Sequence, residues 1–240
     1  FCDDDVWVVD AAYNRTGELV KEELEKLGNA NIRYIINTHY HGDHTGGNKK
    51  LGQNADIISH HYVKDLISKD RGEEENKREA FPEFAQPNIT FSDSLAIRYN
   101  NQTISLIHLP GGHTAGDILV YFPDSKVLSM GDLLFADMFP YVDINHGGNA
   151  LEYIKHLEWI AKKFPANVQI IGGHGPVYSI EKLKNYHTTL DRTVQIVKNA
   201  KEKGKTLEEM KERRILKEWE EYGTDFISED FWIETVYHSL

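Results

Sequence analysis

The sequence predicts an α/β layered fold with a helical C-terminal extension, and three observations lead there. A strand–helix–strand unit runs from Val6 to Ile36, closely spaced strand-like runs fill Leu95 to Met130, and everything from Ile180 onward reads helical. With 240 residues, 40% of them hydrophobic and 11% aromatic, the chain can bury a sizeable core. The expected organisation is a core domain over 1–180 and a helical extension over 181–240 packed on the same domain.

In order, Val6–Val9 is a short β-rich run, and Thr16 is the candidate cap of a helix over 17–27. Leu19, Val20, Leu24 and Leu27 give that helix its apolar spacing, and Gly28 stops it. Ile32, Tyr34, Ile35 and Ile36 form a buried-strand pattern ending at Asn37, Asp56–Ser59 is a further strand, and Val63–Ile67 is a helical core. The charged stretch 69–78 reads as a solvated loop or helix end. An antiparallel meander is expected from Leu95–Tyr99, Thr103–Leu109, Ile118–Phe122 and Val127–Met130, punctuated by Asn100-Asn101 and Pro123-Asp124. Asn149–Phe164 has helical apolar spacing, Val168–Ile171 is a strand, and the Lys- and Glu-rich stretch 201–221 reads as a solvated helical cap.

Charge and cysteine content narrow the function classes. Asp plus Glu number 38 against 27 Lys plus Arg, a formal charge of −11, which argues against nucleic acid and anionic lipid surfaces as partners. A small-molecule substrate is expected instead. Cys2 is the only cysteine, so an intrachain disulfide and a thiolate cluster are both ruled out. No run reaches the roughly 18 apolar residues of a membrane span, and no basic-then-apolar leader is present, so a soluble chain is expected. It opens within a strand-rich stretch, leaving room upstream for a leader and a first strand. The compartment stays open between cytoplasm and periplasm, and the sequence sets no oligomeric state.

The chemistry concentrates in Thr38-His39-Tyr40-His41-Gly42-Asp43-His44, directly after a strand end. Side chains alternate along a strand, so His39 and His41 share a side, and the Gly42 turn returns Asp43 and His44 toward them. Crowded imidazoles repel one another when protonated, whereas neutral imidazoles with a carboxylate are an ordinary ligand set for zinc. Three later strands each end in Gly followed by a ligand-type residue: His113 in Gly111-Gly112-His113, Asp132 in Met130-Gly131-Asp132, and His174 in Gly172-Gly173-His174. The remaining histidines, His60, His61, His108, His156, His187 and His238, are expected to be surface or structural. His146 is a candidate substrate contact in the 135–148 loop, which is expected to line a partly apolar pocket.

These residues resemble the metallo-β-lactamase superfamily from about Val6 to Val177, with its hallmark H-x-H-x-D-H complete. The resemblance implies a four-layer αββα sandwich and a binuclear site holding two zinc ions per chain, with iron or manganese as alternatives. It further implies that His39, His41 and His113 hold one metal, that Asp43, His44 and His174 hold the other, and that Asp132 bridges them. Asp10, ending Val-Val-Asp, matches an aspartate that supports the ligands from behind. The activity implied is hydrolysis by a hydroxide shared between two metals, with Asp43 and Asp132 as the catalytic carboxylates.

β-Lactamases of this family carry cysteine or serine where Asp132 stands, while glyoxalase II, lactonases and related esterases carry aspartate. An ester, thioester or lactone is therefore expected, with β-lactam hydrolysis and a non-catalytic metal-binding module as alternatives. Leu133-Leu134-Phe135 lacks the tyrosine that lactone-opening relatives place three residues after the bridging aspartate. The basic glutathione-binding residues of glyoxalase II are not evident either. Two other branches fit poorly: the diiron oxygen reductases replace the His41 position with glutamate and carry a flavin domain, and the RNA-processing nucleases carry a basic arm absent here.

Overall fold

The computed structural model describes residues 5–28, 31–73, 77–99, 101–224 and 226–240. Cys2, Asn100 of the expected hairpin turn and residues 74–76 of the charged stretch lie outside these. The chain divides into two compact units, Phe1–His108 with Ile118–Val120, and Leu109–Asp117 with Tyr121–Leu240.

The first unit opens on a parallel sheet, β1 (Val6–Val9), β2 (Ile32–Ile36), β3 (Asp56–His60) and β4 (Ile89–Phe91), in that spatial order. Parallel strands are covered on both faces, which is why β2 and β3 carry consecutive isoleucines. Ile35, Ile36, Ile57 and Ile58 are all buried, each worth about 1.5–3 kcal/mol relative to an exposed side chain. Helix α1 (Gly17–Lys26) packs Val20 and Leu24 against Ala11, Ile32, Ile35, Leu51 and Ile57. Of its four expected core positions, Leu19 and Leu27 instead stay exposed. Thr16 does precede α1, but its hydroxyl donates to Tyr13 O (3.0 Å) rather than capping, because a 3-10 turn over Asn14–Thr16 leads into the helix.

Two short helices follow, α2 (Gly42–Thr45) and α3 (Asn48–Leu51), and then α4 (His61–Ile67), capped by the His60 ring accepting from Tyr62 N. Strands β5 (Ser94–Tyr99) and β6 (Gln102–His108) pair antiparallel with Tyr99 opposite Gln102. Within the 69–78 stretch, whose described residues are mostly exposed, Arg71 and Arg78 exchange both backbone hydrogen bonds, and Lys77 pairs with Asp70 at 2.9 Å.

The second sheet has six strands in the order β10-β9-β8-β7-β6-β5, including β7 (Ile118–Phe122), β8 (Val127–Phe135), β9 (Gln169–His174) and β10 (Tyr178–Ser179). Within the second unit, β8 and β9 run parallel, and their connection contains α5 (Ala150–Lys163), capped by Asn149. Helix α6 (Ile180–Glu202) buries Leu183, Tyr186, Leu190, Val194 and Val197 on one face. It is followed by α7 (Leu207–Glu212), opened by a Thr206–Glu209 capping box, and by α8 (Glu229–Ser239). Trp232 of α8 is fully buried and donates to Thr193 Oγ1 at 2.8 Å, while Ser239 accepts from Ala150 N at 2.9 Å. The 201–221 stretch is more than a solvated cap, since Met210, Leu216 and Trp219 are buried.

Candidate metal centre

The contiguous motif leaves β2 under tight local control. Asn37 and Asn48 exchange amide hydrogen bonds (2.8 and 3.2 Å), and Asn37 also donates to His44 O (3.2 Å), so the chain doubles back at once. Gly47 makes the return possible: a Cβ there would stand 1.9 Å from Ala11 O, so only glycine admits the segment beside the motif. That segment carries Asp10, held at φ 60. Its carboxylate accepts from Thr38 N (2.7 Å), Thr38 Oγ1 (2.8 Å) and His44 Nδ1 (2.7 Å).

One carboxylate thereby sets two imidazoles. A carboxylate only accepts, so His44 carries a proton on Nδ1, and in the neutral ring Nε2, 3.5 Å from Asp43 Oδ2, is the unprotonated nitrogen. The Thr38 hydroxyl spends its proton on Asp10 and accepts from His39 Nδ1 (3.1 Å), so in the neutral ring His39 Nε2 is the accepting nitrogen, 3.0 Å from His41 Nδ1. An unprotonated Nε2 is the form of imidazole that ligates metals.

The second unit holds the dispersed residues. His113 is fully buried in the turn after β6, and Asp117 holds that turn by accepting from His113 N (2.7 Å), Thr114 N (2.8 Å) and Thr114 Oγ1 (2.6 Å). Burial pushes the Asp117 carboxyl up to about 7, against the pull of those hydrogen bonds. His113 Nδ1 donates to Tyr141 O (2.8 Å), and its Nε2 faces Asp132 Oδ2 at 3.4 Å. Asp132 was expected at a strand end but lies inside β8, which runs on to Phe135. In the sequence Gly131 looks like a strand stop after Met130. Gly131 at φ 50 instead makes a local irregularity, after which the ladder resumes with Phe135 opposite His174. His174 ends β9, stacks on Phe135 (4.8 Å, 21°), and sets Nε2 3.5 Å from Asp132 Oδ1.

Sequence reading missed three supports of these residues. Thr38 and Asp117 had usable signals, a hydroxyl beside the first histidine and a Thr–Asp pair three apart in a glycine-rich turn. The Tyr141 carbonyl is a backbone acceptor and leaves no mark in the sequence.

Two groups of side chains each present ligand atoms within 4.8 Å of one another: His39, His41, His113 and Asp132, and Asp43, His44, Asp132 and His174. Every expected ligand falls in one of them, and Asp132 falls in both. The donor set fits a metal on chemistry as well as spacing. Imidazole-to-carboxylate separations of 3.4–3.5 Å are long for hydrogen bonds, yet they match the edge of about 3.3 Å between two ligands on one tetrahedral zinc. The other histidines lie elsewhere: His60 stacks on His108 (3.7 Å), His156 bonds to Pro110 O (2.9 Å), and His146 pairs with Asp143 (2.9 Å).

A mixed α/β architecture that carries two groups of His and Asp side chains able to hold a metal ion sets the class of protein. Residues 3–216 match the profile of the metallo-beta-lactamase superfamily, and the chain belongs to that superfamily. It is 34% identical over 110 residues to a hydroxyacylglutathione hydrolase of Pelagibacter ubique (strain HTCC1062), covering 45% of this chain and 38% of that one. Against a metallo-beta-lactamase type 2 of Bacteroides fragilis it is 21% identical over 166 residues, covering 69% and 62%. A solved structure, a metallo-beta-lactamase from Pontibacter korlensis, shares the fold with a TM-score of 0.61 at 20% identity, covering 78% of this chain and 81% of that one. The chain thus spans under half the length of the hydroxyacylglutathione hydrolase it matches. The α/β metallo-β-lactamase fold expected from the sequence is the fold found. Among the described residues no helix is long and apolar enough to cross a membrane.

Proposed function

We propose that the chain is a binuclear zinc hydrolase that cleaves a thioester, ester or lactone carbonyl. The observation carrying this reading is the double use of Asp132, whose Oδ2 faces His113 Nε2 and whose Oδ1 faces His174 Nε2. A carboxylate shared in this way suits two adjacent ions better than one. His39, His41 and His113 would hold one zinc, Asp43, His44 and His174 the other, with Asp132 common to both. Bound zinc supplies Lewis acidity toward a carbonyl oxygen and lets water ionise near neutral pH.

The protein's own residues orient and move protons. Asp10 holds His39 and His44 in the ligating tautomer, and the Tyr141 carbonyl does the same for His113. Asp43 has a carboxylate oxygen beside His44 Nε2, where it can take a proton from the attacking water and return it to the leaving group. A thioester is favoured among carbonyl substrates by the hydroxyacylglutathione hydrolase relatives. A glutathione moiety is not proposed, since the basic residues that bind it in glyoxalase II are not evident in the sequence. β-Lactam hydrolysis is the second reading, favoured by the Bacteroides fragilis relative and opposed by aspartate at position 132.

Zinc-loaded protein presented with p-nitrophenyl acetate, an acyl-homoserine lactone, S-lactoylglutathione, nitrocefin and a phosphodiester tests this directly. Preference for a carbonyl ester, thioester or lactone supports the proposal, and preferred turnover of nitrocefin replaces it with the second reading. Silence on every substrate with two ions bound points to a metal-binding module and overturns it.

A further inference from the structure

The loop after β8 lies beside the C-terminal segment of the same unit, and the contact is aromatic. Phe139 is fully buried, donates its N–H to Tyr222 O (2.8 Å), and packs its ring 5.8 Å from Tyr222 and 6.0 Å from Trp232. Two residues on, Tyr141 stacks with Phe231 (5.6 Å, 22°) and lies 5.8 Å from Phe226. Tyr141 is also the residue whose carbonyl holds His113 Nδ1, and its ring centroid is 5.9 Å from that imidazole. A continuous run of rings therefore leads from a ligand-type histidine outward to Phe226.

Phe226 is 74% exposed, more than any other large apolar side chain among the described residues. A lone exposed phenylalanine needs no explanation. This one extends a half-buried Tyr141–Phe231 stack, and Ile144 on the same loop is 39% exposed. Ring faces of this kind accept flat or extended apolar groups, with offset stacking adding to the area removed from water.

We propose that Phe226 and Tyr141 form an apolar subsite that binds the aromatic or medium-chain acyl arm of the carbonyl substrate. The inference rests on the hydrolase reading above and sharpens it, since a charged or very small acyl group would gain nothing from this surface. It also gives the C-terminal extension a part in substrate choice.

The test is a series of acyl thioesters with one leaving group, carrying acetyl, butyryl, hexanoyl and phenylacetyl groups, given to the zinc-loaded protein. Wild type is expected to favour hexanoyl and phenylacetyl over acetyl in kcat/KM through a lower KM, and Phe226→Ala is expected to reduce that preference about tenfold. Leu27→Ala, which removes another exposed apolar side chain (65%) in the first unit, leaves the preference as it was. Binding of free phenylacetate against acetate, followed by saturation-transfer NMR, supplies a readout independent of turnover. If no thioester is cleaved yet phenylacetate binding still depends on Phe226, the hydrolase reading fails and the subsite stands. If thioesters are cleaved with a preference that Phe226→Ala leaves intact, or with no preference at all, the subsite is wrong.

Discussion

Two halves of the candidate centre are built by opposite means. His39, His41, Asp43 and His44 come from one turn of six residues, while His113, Asp132 and His174 come from three separate places in the chain. The contiguous half is set by hydrogen bonds that converge on a single carboxylate, Asp10. The dispersed half needs a separate device for each member: the Asp117 turn for His113, the Gly131 irregularity for Asp132, and the Phe135 stack for His174. Local order is therefore shared in the first half and distributed in the second, and mutations should separate the two.

The largest effect is expected where the halves meet in one residue. Asp132→Ala should abolish hydrolysis and lower bound metal below two ions per chain by elemental analysis, as should His41→Ala, while His238→Ala does neither. Full activity and two retained ions in Asp132→Ala would refute the bridging role.

Next comes the shared support. Asp10→Asn keeps the size of the side chain but replaces one acceptor oxygen by a donor, so the relay to His39 and His44 is disturbed together. Metal affinity should fall about 10–100-fold, read by competition with a chelator. An unchanged affinity would mean that the two tautomers are held by something other than Asp10.

The dispersed half should respond differently. Asp117→Ala strands two backbone N–H groups and a hydroxyl in a buried turn, costing about 2–4 kcal/mol of stability in urea unfolding. Asp117→Asn keeps one acceptor and should recover part of it. A loss of under about 0.5 kcal/mol in the alanine variant would show that the turn is held by other contacts.

The same contrast explains what was legible in the sequence. The contiguous motif could be read because its spacing is its geometry, and its four ligand-type residues stand among the side chains that could hold a metal ion. The parallel sheet could be read from the isoleucine runs of β2 and β3. Element ends could not: β8 runs past Gly131, because a glycine that looks like a stop serves as a bulge, and α2 and α3 are too short to show a helical period. Tertiary supports such as the Tyr141 carbonyl and the aromatic run to Phe226 join positions far apart in sequence, and no local pattern predicts them. The C-terminal stretch 201–221 was read by its charge, which hid the buried Met210, Leu216 and Trp219.

The smallest effect concerns an imidazole outside the candidate centre, one kept neutral by packing. His60 ends β3, caps α4 through Nδ1, and stacks on His108 (3.7 Å) with His61 at 4.1 Å. Burial, and then the neighbouring charges of His108 and His61, lower its pKa from 6.5 to about 4, against the Ser92 backbone and Asp93. The unfolded imidazole gains its proton below about 6.5 while the folded one resists until about 4. Stability present above pH 6.5 is therefore lost as the pH falls through that window, by about 1–2 kcal/mol once solvent screening is allowed for. Urea midpoints of metal-stripped protein between pH 7 and pH 4 measure the slope without the protons that metal release would add. His60→Asn keeps a side-chain acceptor for the Tyr62 N–H and removes the titration, so it should flatten the slope. An unchanged slope would assign the acid sensitivity to other titrating groups and leave His60 as a structural cap alone.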